Sequence, residues 1–195
     1  MFRHIFIVVL ISGLIACGSS PKTHFYMLNA ENASDSISQQ KAGGVGVGVW
    51  KVQLPLLLDR YEIVTRTDIY SIELADFDKW AGSLGNNMTR LIASELGRRL
   101  QTDRVVISPW SSYRKNDYQV KIHVERFDGV LGGETVLSGA WSLLNAQGNK
   151  ELARKSFSFQ TQTKGKEYSD MVAALSQLTV KLSEQIAGVI SVQDK

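Results

Sequence analysis

Asp117-Tyr118-Gln119-Val120-Lys121-Ile122-His123-Val124-Glu125 is the stretch that decides the fold class. Tyr118, Val120, Ile122 and Val124 alternate without a break with Gln119, Lys121, His123 and Glu125. Successive side chains of a strand point to opposite faces, so this spacing predicts a strand with one face on a core and the other in water. One polar face is the mark of an antiparallel or mixed sheet. A doubly wound parallel sheet would be apolar on both faces.

Working outward, residues 135–144 and 152–163 read as two further strands, joined at Gln147-Gly148-Asn149. A final helix is predicted over 167–191, with Met171, Leu175, Leu178, Leu182 and Ile186 on one stripe. Upstream, Trp80, Leu84, Met88, Leu91, Ile92 and Leu100 recur at three- and four-residue steps, which predicts a helix over 76–101. Asp76 and Asp78 would then lie at its start, where negative charge complements the helix dipole. Residues 105–107 form a short strand ended by Pro109-Trp110, and 61–66 with 69–74 form a hairpin about Thr67-Asp68. Residues 24–28 are a first strand and 29–44 an exposed loop. Val45-Gly46-Val47-Gly48-Val49 places valine on one face of a strand and glycine on the other, as where another group approaches closely. No Gly-Lys-Ser/Thr follows it, so a phosphate loop is set aside. The expected fold is a single α/β domain, a mixed and largely antiparallel sheet packed by two long amphipathic helices.

The other end of the chain decides the compartment. Arg3 and His4 precede an apolar run over 5–15, and Leu14-Ile15-Ala16-Cys17 closes it. Residues 1–16 have the layout of a secretory signal, and the run is too short to span a bilayer comfortably. Cys17 is the only cysteine, so no intramolecular disulfide can form. The four residues ending in it resemble a lipobox, whose thiol carries diacylglycerol and whose new amine is acylated. Residues 17–23 would be a lipidated tether, of which 18–23 span up to about 20 Å, and 24–195 the periplasmic domain. Gly18 stands where an aspartate would retain such a protein in the inner membrane, which implies the inner leaflet of the outer membrane. The net charge of +3 falls by one when Arg3 leaves, too little to argue for nucleic acid.

No catalytic or metal constellation emerges. His4 leaves with the signal, His24 lies near the tether, and His123 is on the polar strand face. A metal site needs three or four clustered ligands, and no spacing offers them. No Gly-x-Ser-x-Gly elbow is present. No cofactor is expected beyond the covalent lipid on Cys17. Trp80 and Trp141 read as core, while Trp50 and Trp110 sit beside proline-bearing breaks. The segment Pro55-Leu56-Leu57-Leu58-Asp59-Arg60-Tyr61 is the candidate partner surface. Three consecutive leucines cannot all face one side, so one is expected outside; a turn buried under the sheet edge is the competing reading.

In chain order, the lipobox, Phe25-Tyr26-Met27-Leu28, Val45-Gly46-Val47-Gly48-Val49, Leu54-Pro55, Leu58-Asp59-Arg60 and Ile63-Val64-Thr65-Arg66 resemble the PqiC family of auxiliary lipoproteins. The likeness continues through Trp80-Ala81, Pro109-Trp110 and the Leu137–Trp141 strand. That resemblance implies a non-enzymatic outer-membrane part of an MCE-type intermembrane lipid transport system. It would dock a PqiB-like MCE-domain tube, as a ring of copies, help phospholipid pass and support membrane integrity. Pro55, Leu57, Leu58, Arg60, Tyr61 and Trp110 are the residues expected to meet the partner or the next subunit. Another envelope-assembly lipoprotein and a periplasmic hydrolase are the alternatives.

Overall fold

The computed structural model describes residues 21–30, 43–111 and 115–194; the signal segment, Cys17, Gly18 and most of the loop expected over 29–44 lie outside these. Eight strands and two helices follow one another as β1 (His24–Tyr26), β2 (Val47–Val49), β3 (Glu62–Arg66), β4 (Ile72–Trp80), α1 (Leu84–Leu100), β5 (Val105–Ile107), β6 (Tyr118–Gly129), β7 (Glu134–Asn145), β8 (Glu151–Gln162) and α2 (Tyr168–Gln193). The α/β class and the two long helices are as expected. The strands form two sheets, one of five in the order β5-β2-β6-β7-β8 and one of three in the order β1-β4-β3. β2 runs parallel to β5 and β6, and β1 parallel to β4; the remaining pairs are antiparallel.

The alternation of β6 is borne out where it matters. Val120, Ile122 and Val124 are buried, while Lys121, His123 and Glu125 are exposed. Tyr118 is half-buried, and Gln119 is buried although it lies on the polar face. On the inner face, Trp141 of β7 donates its indole N–H to Gln185 Oε1 of α2 at 2.8 Å. α2 begins with a reciprocal capping box between Glu167 and Asp170, which satisfies two otherwise orphaned amides. α1 lies beside α2, and Arg99 of α1 reaches Glu184 of α2 at 3.5 Å.

The helix expected from residue 76 is a correction. Residues 72–80 are strand, and the helix begins only at Leu84. β4 has partners on both edges, and these pairings outweigh a spacing that also fits a helix. Trp80 is core, as expected, but from the inward face of a strand end, 6.2 Å from the Phe127 ring of β6. Asp76 and Asp78 therefore do not cap a helix. Asp78 accepts the Tyr26 hydroxyl at 2.7 Å, which ties β1 to β4. Burial first, and then this donation to a carboxylate, push the Tyr26 hydroxyl up to about 12.

A buried carboxylate joins the two sheets. Asp128 near the end of β6 receives Arg66 of β3 at 2.9 Å and Arg126 at 3.0 Å, and its side chain is only 3% exposed. Among the described residues no helix is long and apolar enough to cross a membrane.

Candidate functional site: an aromatic groove beside the leucine turn

The link from β2 to β3 builds one wall of the site. Pro55 ends the extended run, and its carbonyl accepts the amides of Leu58 at 2.9 Å and Asp59 at 3.1 Å. That tight turn sends the three leucines in different directions. Leu58 points into the core at 3% exposure, Leu57 is 40% exposed and Leu56 is 91% exposed. The expectation that one leucine would face outward is met by two. Leu58 is a correction to the partner set, because it belongs to the core and cannot meet a partner. Pro55 and Arg60 are half-buried, and Tyr61 is exposed. Arg60 pairs with Glu62 at 3.7 Å, and Lys79 approaches the same carboxylate at 3.9 Å.

The opposite wall comes from a distant part of the chain. Parallel pairing of Val49 with Ile107 brings the residues after β2 beside those after β5. Trp50 and Trp110 therefore meet edge to face, their ring centroids 5.0 Å apart and their planes at 68°. The indole N–H of Trp50 donates to Gln119 Oε1 at 3.0 Å, and Gln119 in turn donates to the Ala146 carbonyl at 2.8 Å. The Lys121 ammonium sits 5.3 Å from the Trp50 ring centre, within cation–π range. Both halves of the glycine-valine reading hold here. A Cβ on Gly48 would meet the Asn116 amide nitrogen and lie 3.0 Å from the Trp110 ring, so these groups are what approaches the glycine face.

Between the walls lies an open groove of about 710 Å³, lined among others by Trp50, Leu54, Asp59, Lys121, Ile122 and His123. Lys51 adds a second ammonium against the one carboxylate of Asp59. Leu54 and Asp59 flank the exposed leucines, so the turn that carries those leucines also lines the groove. Trp110 packs against Trp50 and does not itself line the groove. Lys121 and His123 were read as a solvated strand face, and nothing local in their sequence marks them as groove residues. The signal that could have found the site is Gly48, the small residue two before an exposed tryptophan.

The groove presents indole, ammonium, imidazole and carboxylate groups on one open surface. Among the described residues no three His, Cys, Asp or Glu side chains gather as a metal site would require. His24 meets Asp78 at 3.2 Å, and among the described residues neither it nor His123 bonds a serine hydroxyl.

Comparison with known proteins places this geometry in a family. Among curated proteins none matches the chain significantly. Two solved structures share the fold. One, described as an uncharacterized protein, has a TM-score of 0.71 at 22% identity, covering 87% of this chain and 99% of its own. The other, a Xanthomonas campestris protein of the family DUF330, has a TM-score of 0.68 at 16% identity, covering 88% and 99%. The model of a family described as the ABC-type transport auxiliary lipoprotein component matches residues 26–187, most of the chain. The chain belongs to the family of ABC-type transport auxiliary lipoprotein components.

Proposed function

We propose that this protein is the outer-membrane lipoprotein of an MCE-type intermembrane lipid transport system, and that it docks the MCE-domain partner through the groove and the leucine turn. Cys17 carries the acyl anchor, Gly18 lets the protein leave the inner membrane, and copies confined to one plane assemble as a ring. Confinement raises local concentration, so weak lateral contacts suffice. Phospholipid is the cargo of the system, and the role of this chain is to hold the partner where cargo is delivered.

The observation that carries the docking reading is the exposure of Leu56, Leu57 and Tyr61 in a segment whose Leu54 and Asp59 line the groove beside Trp50. Partner contacts concentrate where aromatic and aliphatic anchors surround a pocket. Family membership supports a transport partner in place of a substrate. The test is co-purification from detergent-solubilised envelopes with Leu56 and Leu57 both replaced by Asp. Both side chains are outside, so the fold survives and the MCE-domain partner is lost. Full retention of that partner would remove this surface from the interface.

A further inference from the structure

We propose that the tip of the β3–β4 hairpin, Ile69 and Tyr70, is a second membrane contact, pressed into the bilayer interface beside the acyl anchor. This rests on the reading of Cys17 as lipidated. Ile69 is 77% exposed and Tyr70 is 90% exposed, although the turn that carries them is well built. Asp68 Oδ1 accepts the amides of Tyr70 and Ser71, each at 2.7 Å, and the Thr67 amide donates to the Ser71 carbonyl at 3.2 Å. Those bonds, the Tyr70 amide foremost, hold the Asp68 carboxyl below its usual value. The Asp68 carboxylate and one main-chain bond thus fix the turn, and both large side chains are left exposed.

Strand direction says what covers them. β1 runs parallel to β4, with His24 opposite Asp78, so the chain enters β1 from the side where β4 begins. That is the side of the hairpin tip. Six residues lie between Cys17 and His24, and the seven Cα–Cα steps reach at most about 24 Å. From Asp78 back to Ile72 a strand rises about 20 Å at most. The tether is therefore long enough to bring Cys17 level with Ile72, where the hairpin tip joins β4. Arg66 and Asp128 tie this end to the end of β6, so the β6–β7 turn lies there too, with Val130 exposed and Lys166 over Gly132. Lys164 and Lys166 are both exposed and follow Thr163, whose amide bonds the Gly133 carbonyl, so two lysines stand at the β6–β7 turn on this end, as an anionic headgroup layer favours. Tyrosine is enriched at that depth because its ring is apolar and its hydroxyl polar. The occupant is the lipid surface.

The test uses the full acylated chain in vesicles of phosphatidylethanolamine and phosphatidylglycerol. Acylation blocks Cys17, so Tyr70→Cys supplies the only free thiol for an environment-sensitive fluorophore. Lys150→Cys, at the β7–β8 turn and the far end of the twelve-residue strands, is the reference. The label at 70 shifts to the blue and loses most of its emission when shallow nitroxide lipids are added, while the label at 150 keeps its own. Ile69→Cys behaves as position 70 does. If the chain floats with the vesicles but the label at 70 is unquenched, the contact is refuted. A blue shift without lipid quenching would assign the tip to a protein partner or second copy, and likewise refute it. Failure to float would remove the anchor, and with it both this contact and the lipidation it rests on.

Discussion

The two sheets of this domain are held together in different ways. In the five-stranded sheet β6, β7 and β8 are each twelve residues long and paired along almost their whole length, and α2 covers the inner face. In the three-stranded sheet β1 has three residues and β3 five, and β4 breaks register between the rows of Glu62 and Val64. The large sheet is stabilised by distributed packing, the small one by a few discrete joints: Leu58 in the linker, Trp80 on Phe127, Asp128 between two arginines, and Tyr26 on Asp78. A protein that must present surfaces gains from this division, because the small sheet and its linker carry many of the exposed apolar residues. Such a contrast makes distinct demands on single substitutions.

The largest effect belongs to the linker. Leu58→Asp buries a carboxylate in the core and should cost about 4–5 kcal/mol, enough to unfold the domain in urea denaturation. Its neighbour Leu57→Asp should change stability by only about 0.5 kcal/mol. Equal effects would contradict the split orientation of the turn.

Asp128→Ala comes next. Removing the shared carboxylate should cost about 3 kcal/mol. Hydrogen exchange should then accelerate in β3 and β4 well before β6 to β8; uniform acceleration would mean the sheets are one cooperative unit. Gly48→Val is smaller, about 1–3 kcal/mol of overpacking, and should appear as a change in tryptophan emission as Trp110 moves off Trp50. An unchanged spectrum would show that the pair tolerates the added bulk.

The smallest effect changes with pH only in alkali. Tyr26 has its folded value raised from 10.0 to about 12, so the neutral hydroxyl is favoured by folding. Its contribution is whole below pH 10 and is lost as pH rises through about 12. Tyr26→Phe should remove that alkaline component from the pH dependence of the melting temperature, and at neutral pH should cost about 1 kcal/mol for the lost hydrogen bond to Asp78.

Much of the architecture is legible in the residues because the periods are clean. The alternation through Val124, the strands to either side of Gly148, and the stripe from Met171 to Ile186 correspond to β6, β7, β8 and α2. The passage from β4 to α1 was not legible. Trp80, Leu84 and Met88 step by four, and the bulged strand shows no alternation to oppose them, with Leu74 half out and Asp76 fully out. The groove was half legible. The leucine turn announced itself by composition, but Trp50 and Trp110 are far apart in sequence and meet only through a parallel pairing that no local pattern encodes.

Site-specific photocrosslinking from position 57 in living cells tests the central claim most directly. A photoreactive residue in place of Leu57 is expected to yield an adduct with an MCE-domain protein, lost when Leu56 is also replaced by Asp. An acylated, folded, outer-membrane protein giving no such adduct, or one insensitive to Leu56→Asp, would contradict the account.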